Sequence, residues 1–248
     1  MKLIHLTWSV LISIYACAQN TENLLKNHFN PVFSEELKAI KFYSQINVLN
    51  PEFGIHNSKS HIFFKVQKRS YQLGYEQYGY KLFKDSKYII SSNQKLNGWT
   101  NLGLSMNLHH LKIYETEKHT AISFNLGLSY KVEQYELYLF IENPLNNNYE
   151  KNDLESRFIL NTIYYWNTNL HSDLQFEESI HTGFHLKHRL SYNYQNSFNL
   201  SILQAFRPFE YGFRIGYKKG EFQWFSQYKK QAQAYSTGIG LIYQPVYE

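Results

Sequence analysis

Cysteine is almost missing: among 248 residues there is one, Cys17, inside an apolar amino-terminal stretch. A chain processed after Ala18 keeps no thiol, which excludes a disulfide framework. Long hydrophobic runs are missing too. Mean hydropathy is −0.49, and nothing reaches the roughly 20 consecutive apolar residues that a membrane-spanning helix needs. Charge of one sign is never concentrated. The 25 basic and 20 acidic residues are interspersed, so the basic stripe of a nucleic-acid binder is excluded. The sequence also lacks G-x-S-x-G, H-E-x-x-H, a P-loop and a dinucleotide fingerprint, the short motifs that mark common enzymes. No cofactor is implied.

What is present is aromatic: 22 tyrosines, 18 phenylalanines and 4 tryptophans. Strands favour such residues, and so do the interfacial girdles of membrane β-barrels. The most informative segment is Ala121-Ile122-Ser123-Phe124-Asn125-Leu126-Gly127-Leu128-Ser129-Tyr130-Lys131. Every even position is large and apolar and every odd one is small or polar. Side chains of a strand alternate faces, so this segment has one apolar and one wet face. Its length suits a tilted strand crossing a bilayer, about 9–11 residues.

The amino terminus reads as a secretory leader. Lys2 supplies the positive charge, residues 6–15 the apolar region, and Ala16-Cys17-Ala18 the small-residue cleavage site. A lipoprotein signal with Cys17 as the acylated residue is the rival reading. Residues 1–18 are therefore a signal peptide, residues 19–38 a polar periplasmic or luminal lead-in, and residues 39–248 the barrel. Strand candidates follow at 39–47, 61–67, 71–80, 88–94, 101–108, 121–131, 135–141, 158–166, 170–176, 184–194, 197–206, 211–217, 222–228 and 235–243, with a turn expected around Asp85-Ser86. Asn143-Pro144-Leu145-Asn146-Asn147-Asn148 is the clearest loop, because proline cannot donate to a ladder and asparagines favour turns. The short spacings suit an antiparallel meander and leave no room for βαβ crossovers.

Three sets of residues could carry function. His185, Lys187 and Arg189, with Arg214 on a later strand, form a basic strip that faces the lumen if the apolar faces point to lipid. It would favour anionic solutes or a carboxylate headgroup. The plainer reading is charged filler, paired with residues such as Glu136 or Glu221, since barrel interiors are polar. The histidines do not make a metal site. His109 and His110 point to opposite faces, and His181 and His185 stand about 13 Å apart at roughly 3.3 Å per residue. Ser179-Ile180-His181 carries no spacing that distinguishes a hydrolase from any Ser/His pair. Finally, Ser236, Gly238, Leu241 and Tyr243 match the pattern of a carboxyl-terminal insertion signal, a terminal strand handed to an assembly machine. The tail 244–248 departs from that pattern.

The phrases Tyr78-Gly79-Tyr80-Lys81-Leu82-Phe83, Leu102-Gly103-Leu104-Ser105, Phe124-Asn125-Leu126-Gly127-Leu128-Ser129-Tyr130, Glu142-Asn143-Pro144 and Phe213-Arg214-Ile215-Gly216-Tyr217 follow a recognisable order. Over residues 60–245 the chain resembles outer-membrane barrels of the FadL-like group, long-chain fatty acid transporters in type, and the PorV/PorQ-type relatives tied to type IX secretion. The resemblance implies a 14-stranded barrel, and admits an amino-terminal luminal plug and a lateral opening. This chain is shorter and lacks long extracellular insertions, and no ligand-binding residue carries over.

The expectation is an all-β protein: one antiparallel transmembrane β-barrel of about 12–14 strands in a Gram-negative outer membrane. Its partners would be outer-membrane lipid and the barrel assembly machinery. Function divides between passing a small hydrophobic or amphipathic molecule and serving as a non-conducting scaffold or secretion-system accessory. A soluble secreted β-protein is the remaining alternative, and would need a second sheet packed on the first. Arginine at Leu126 or Ile239 is expected to be costly, and at Asn125 or Gly127 milder.

Overall fold

The structure, a computed structural model, describes residues 40–49, 54–67, 69–114, 117–148, 154–180, 183–195, 197–206, 209–231 and 235–244. Residues 1–39, where a signal peptide and a lead-in are expected, His181 and the last four residues lie outside them. The fourteen strands are β1 (Ile40–Leu49), β2 (His56–Val66), β3 (Arg69–Tyr80), β4 (Phe83–Lys95), β5 (Thr100–Ile113), β6 (Glu117–Val132), β7 (Tyr135–Glu142), β8 (Arg157–Tyr165), β9 (Leu170–Ser179), β10 (Gly183–Tyr194), β11 (Phe198–Phe206), β12 (Glu210–Lys219), β13 (Phe222–Gln231) and β14 (Tyr235–Tyr243). Each pairs antiparallel with its sequence neighbours, and β14 pairs with β1 to close the barrel. One closed sheet has no partner sheet to cover its apolar faces, so the two-sheet soluble alternative is overturned.

The alternation decides which way the wall faces. On β6, Leu126 is 39% exposed and Asn125 1%; Ile122, Phe124 and Leu128 share the outer face, and Ser123 and Ser129 the inner one. The same inversion repeats around the barrel. A continuous apolar exterior of this size has no place in water and fits hydrocarbon. Aromatic rings edge it. Phe222 packs against Tyr243 (4.9 Å) and Trp224 (5.8 Å), and Tyr164 against Tyr135 (4.9 Å) and Trp166 (4.8 Å), at the end that carries both termini. Phe206, Phe209 and Tyr211 cluster at the other end. Among the described residues no helix is long and apolar enough to cross a membrane; strands do the crossing.

Two local features differ from expectation. Asp85 and Ser86 do not turn: they continue β4, paired with Tyr78 and Gln77. The turn falls earlier, at Lys81-Leu82, where Gly79 adopts φ +137° and a Cβ would sit 2.1 Å from the Phe83 carbonyl oxygen. Only glycine closes the hairpin there. Several strands also run further than the regular alternation, notably β5 and β6, which pair up to Ile113 and Glu117. The β4–β6 wall thereby projects beyond its neighbours at the end away from the termini. Leu154, in the β7–β8 connection, packs on its inner face with Leu111 and Ala121. The Asn143-Pro144 loop is as read. Asn143 has positive φ, its Oδ1 accepts from the Asn147 amide (3.0 Å), and its Nδ2 donates to the Asn147 carbonyl (2.9 Å).

Candidate functional site: the lumen

The inward face has two halves of different chemistry. Near the termini it is filled, with one apolar cluster set among buried polar side chains such as Gln72, Asn93, Asn101 and Asn199. Tyr43 on β1, Phe63 on β2, Phe225 on β13 and Ile242 on β14 form one buried cluster. Tyr43 stacks on Phe225 (6.1 Å, 18°), and His61 lies between Tyr43 (5.8 Å) and Phe63 (6.0 Å). The Phe225 ring lies flat against the wall because Gly240 faces it, where a Cβ would come within 2.1 Å of the ring. Arg214 places its guanidinium carbon 3.7 Å from the centroid of the same ring, a cation–π contact. Phe140, Tyr138 and Ile163 are buried on the opposite wall. Tyr43 is 2% exposed, Phe225 and Ile242 1%, and Ile163 0%. Side chains lining an open aqueous bore would be wet; these are not, so the bore is filled at this level.

Towards the opposite end the lumen widens into a cavity of about 280 Å³. Among the described residues its lining is cationic: Lys59, Arg157, Lys187, Arg189 and Lys229 face it with one carboxylate, Glu177. Four further carboxylates pair with these cations without lining the cavity. Glu76 pairs with Lys59 (3.4 Å), Glu210 with Lys229 (3.0 Å), and Asp173 with Arg189 (3.2 Å). Glu142 holds both Arg157 (2.5 Å) and Lys87 (3.3 Å). Glu177 bridges Arg157 (3.2 Å) and Lys187 (2.6 Å). Leaving one of these charges buried without its partner would cost about 3–5 kcal/mol, so the network fixes the cavity's shape.

Of the basic strip, Lys187 and Arg189 line the cavity, while Arg214 lies below it on Phe225. His185 is on the same inner face of β10, opposite Glu177. Their carboxylate partners are Glu177 and Asp173, not Glu136 or Glu221. Glu136 instead holds Lys131 (2.6 Å) at the barrel's edge and accepts from Tyr165 (3.0 Å) and Tyr138. The reason is register: β9, not β7 or β13, lies beside β10. Lys59, Arg157 and Lys229 went unnoticed in the sequence. Each sits at an inward position of its strand, a signal that was available, but their convergence needs the closed barrel.

The remaining candidates separate. His109 turns inward to Ser123 (2.9 Å) and His110 outward to Thr120 (3.4 Å). Among the described residues no group of three or more His, Cys, Asp or Glu could hold a metal ion. Ser179 donates to Glu155 (2.5 Å). Of the insertion pattern, Gly238 faces inward beneath Asn47 and Gln227, and Tyr243 faces outward, stacked with Phe42 (6.1 Å). Ser236 lines the cavity, and Leu241 faces out opposite Trp224.

No protein-family model matches the chain, and no curated protein matches it in sequence. Solved structures do match. The CymD monoaromatic hydrocarbon channel is similar over 93% of this chain and 95% of its own, at 7% identity and TM-score 0.65. A TodX deltaS2S3 mutant, also a monoaromatic hydrocarbon channel, covers 92% and 94% at 8% identity and TM-score 0.69. A Pseudomonas aeruginosa FadL homologue covers 87% and 92% at 8% identity and TM-score 0.68. The fold is thus that of outer-membrane channel barrels. At these identities the likeness is one of fold.

Proposed function

We propose that this protein is an outer-membrane channel for a small amphipathic anion, an aromatic or aliphatic carboxylate, which enters the cationic cavity from the mouth opposite the termini. The observation that carries the reading is the lining itself: among the described residues five cations and one carboxylate face one cavity. A positive, partly desolvated enclosure raises the local concentration of anions. The apolar floor of Tyr43, Phe63, Phe225 and Ile242 suits the hydrocarbon part of such a solute. The fold of hydrocarbon and FadL-type channels supports passage of small molecules through this type of barrel.

The filled floor also supports a second reading, a non-conducting scaffold or secretion accessory. Uptake into proteoliposomes separates the two. Benzoate is expected to enter faster than benzylamine, and Lys187→Glu with Arg189→Glu to reverse the order. Phe225→Ala is expected to speed both. A folded barrel that passes neither solute, even with Phe225→Ala, would support the scaffold instead.

A further inference from the structure

The outer face of the projecting β4–β6 wall carries three lysines in register. Lys84 on β4 stands directly across from Lys112 on β5, and Lys112 directly across from Lys118 on β6. All three are exposed. They point away from the lumen: their neighbours Phe83, Leu111 and Ile113 pack with Leu154 on the inner side, and His119, beside Lys118, is buried. Like charges directly opposite each other on a sheet are destabilising. Among the described residues no carboxylate pairs with any of the three. The inward lysines differ, since Lys59, Lys87, Lys187 and Lys229 each hold a carboxylate.

Towards the termini this outer face changes in two steps. The next outward row is Ser86, His110 and Thr120, polar and uncharged in kind, with His110 and Thr120 in contact (3.4 Å). The row after it is Tyr88, Leu108 and Ile122, exposed and apolar, and Ile90, Met106 and Phe124 continue the belt. The lysines therefore stand four residues beyond the last apolar row, about 10 Å of height on a tilted strand. That is the level of lipid headgroups, within reach of long side chains whose stems lie along the wall.

We propose that Lys84, Lys112 and Lys118 hold the phosphate of a lipid headgroup in the leaflet at the end away from the termini. A phosphomonoester carries about two negative charges and three acceptor oxygens. Set between three ammonium groups, it replaces their mutual repulsion by attraction. The row is open on both flanks. Gly79, across from Lys84 on β3, has no side chain, and β7 pairs with β6 only from Asn125 on, well short of Lys118. The position favours a lipid over a soluble anion. The acyl chains of a lipid lie against Tyr88, Leu108 and Ile122 while its headgroup meets the lysines, and contacts linked in one molecule reinforce each other. The inference rests on the apolar belt and is independent of what passes through the lumen.

Native mass spectrometry of the detergent-extracted protein, titrated with dioleoyl phosphatidate or dioleoyl phosphatidylcholine, tests it. Wild type is expected to bind phosphatidate about tenfold more tightly than phosphatidylcholine. The triple variant Lys84→Gln, Lys112→Gln and Lys118→Gln should lose that preference while keeping its fold, since only like charges are removed. Lys218→Gln with Lys219→Gln, at the other end of the barrel, should keep the preference. A gel-mobility shift on boiling certifies the fold of each variant. Equal affinity of wild type for the two lipids would overturn the proposal, as would a preference that survives the triple substitution or is lost equally in the Lys218 and Lys219 variant. Displacement of phosphatidate by an equal concentration of inorganic phosphate would also overturn it, because the occupant would then be a soluble anion.

Discussion

Leu126 and Asn125 are neighbours in sequence and stand on opposite sides of the barrel wall. Leu126 faces hydrocarbon in the middle of β6, so Leu126→Arg is expected to cost about 2–4 kcal/mol in equilibrium unfolding from lipid vesicles; Ile239→Arg on β14 should behave alike. The inward positions are not as tolerant as the sequence suggested. Asn125 is buried and accepts from the Asn143 amide (3.2 Å), and Gly127 stands directly across from Phe140. Arginine at either overpacks a filled interior, costing about 1–3 kcal/mol, so the contrast with Leu126 narrows without reversing. A smaller loss at Leu126 than at Asn125 would put the membrane on the wrong side of the wall. At this scale the sequence is highly legible, because a period of two assigns each residue a face. The choice of ion-pair partner is not, since Arg189 and Asp173 are sixteen residues apart and meet only through the β9–β10 register.

Among elements, β14 bears the most. It carries the Ser236–Tyr243 pattern, and its two edges bond to β13 and β1. Removing residues 235–248 leaves both neighbours with an open edge, which a membrane does not tolerate. The truncated chain is expected to be missing from the outer-membrane fraction, as checked by fractionation and immunoblot; normal insertion would show that closure does not depend on this strand. Strand positions were legible where apolar alternation is strong, as in β5, β6, β10 and β12. Strand ends were not. At the outer ends of β4, β5 and β6 apolar residues such as Phe83, Leu111 and Ile113 stand among charged and polar ones, and there hydrogen bonding to the neighbouring strand extends the sheet beyond the regular alternation.

The whole molecule is a barrel whose closure makes every backbone edge internal. Such a fold resists detergent until heated. The extracted protein is therefore expected to migrate at a different position in a gel before and after boiling, with the unboiled form in the outer-membrane fraction. Identical mobility in both states would mean that the sheet does not close in the cell.

Alternation, aromatic content and the lack of long apolar runs determined by themselves that the chain forms membrane-crossing strands with a wet inner face, because face and length are local properties of a strand. Only the tertiary structure decided that there are fourteen of them in one ring. It also decided that the lumen is filled around an apolar cluster at one end and lined by cations at the other. Those features arise where residues from distant strands converge, and the register that brings them together is set by the closed sheet as a whole.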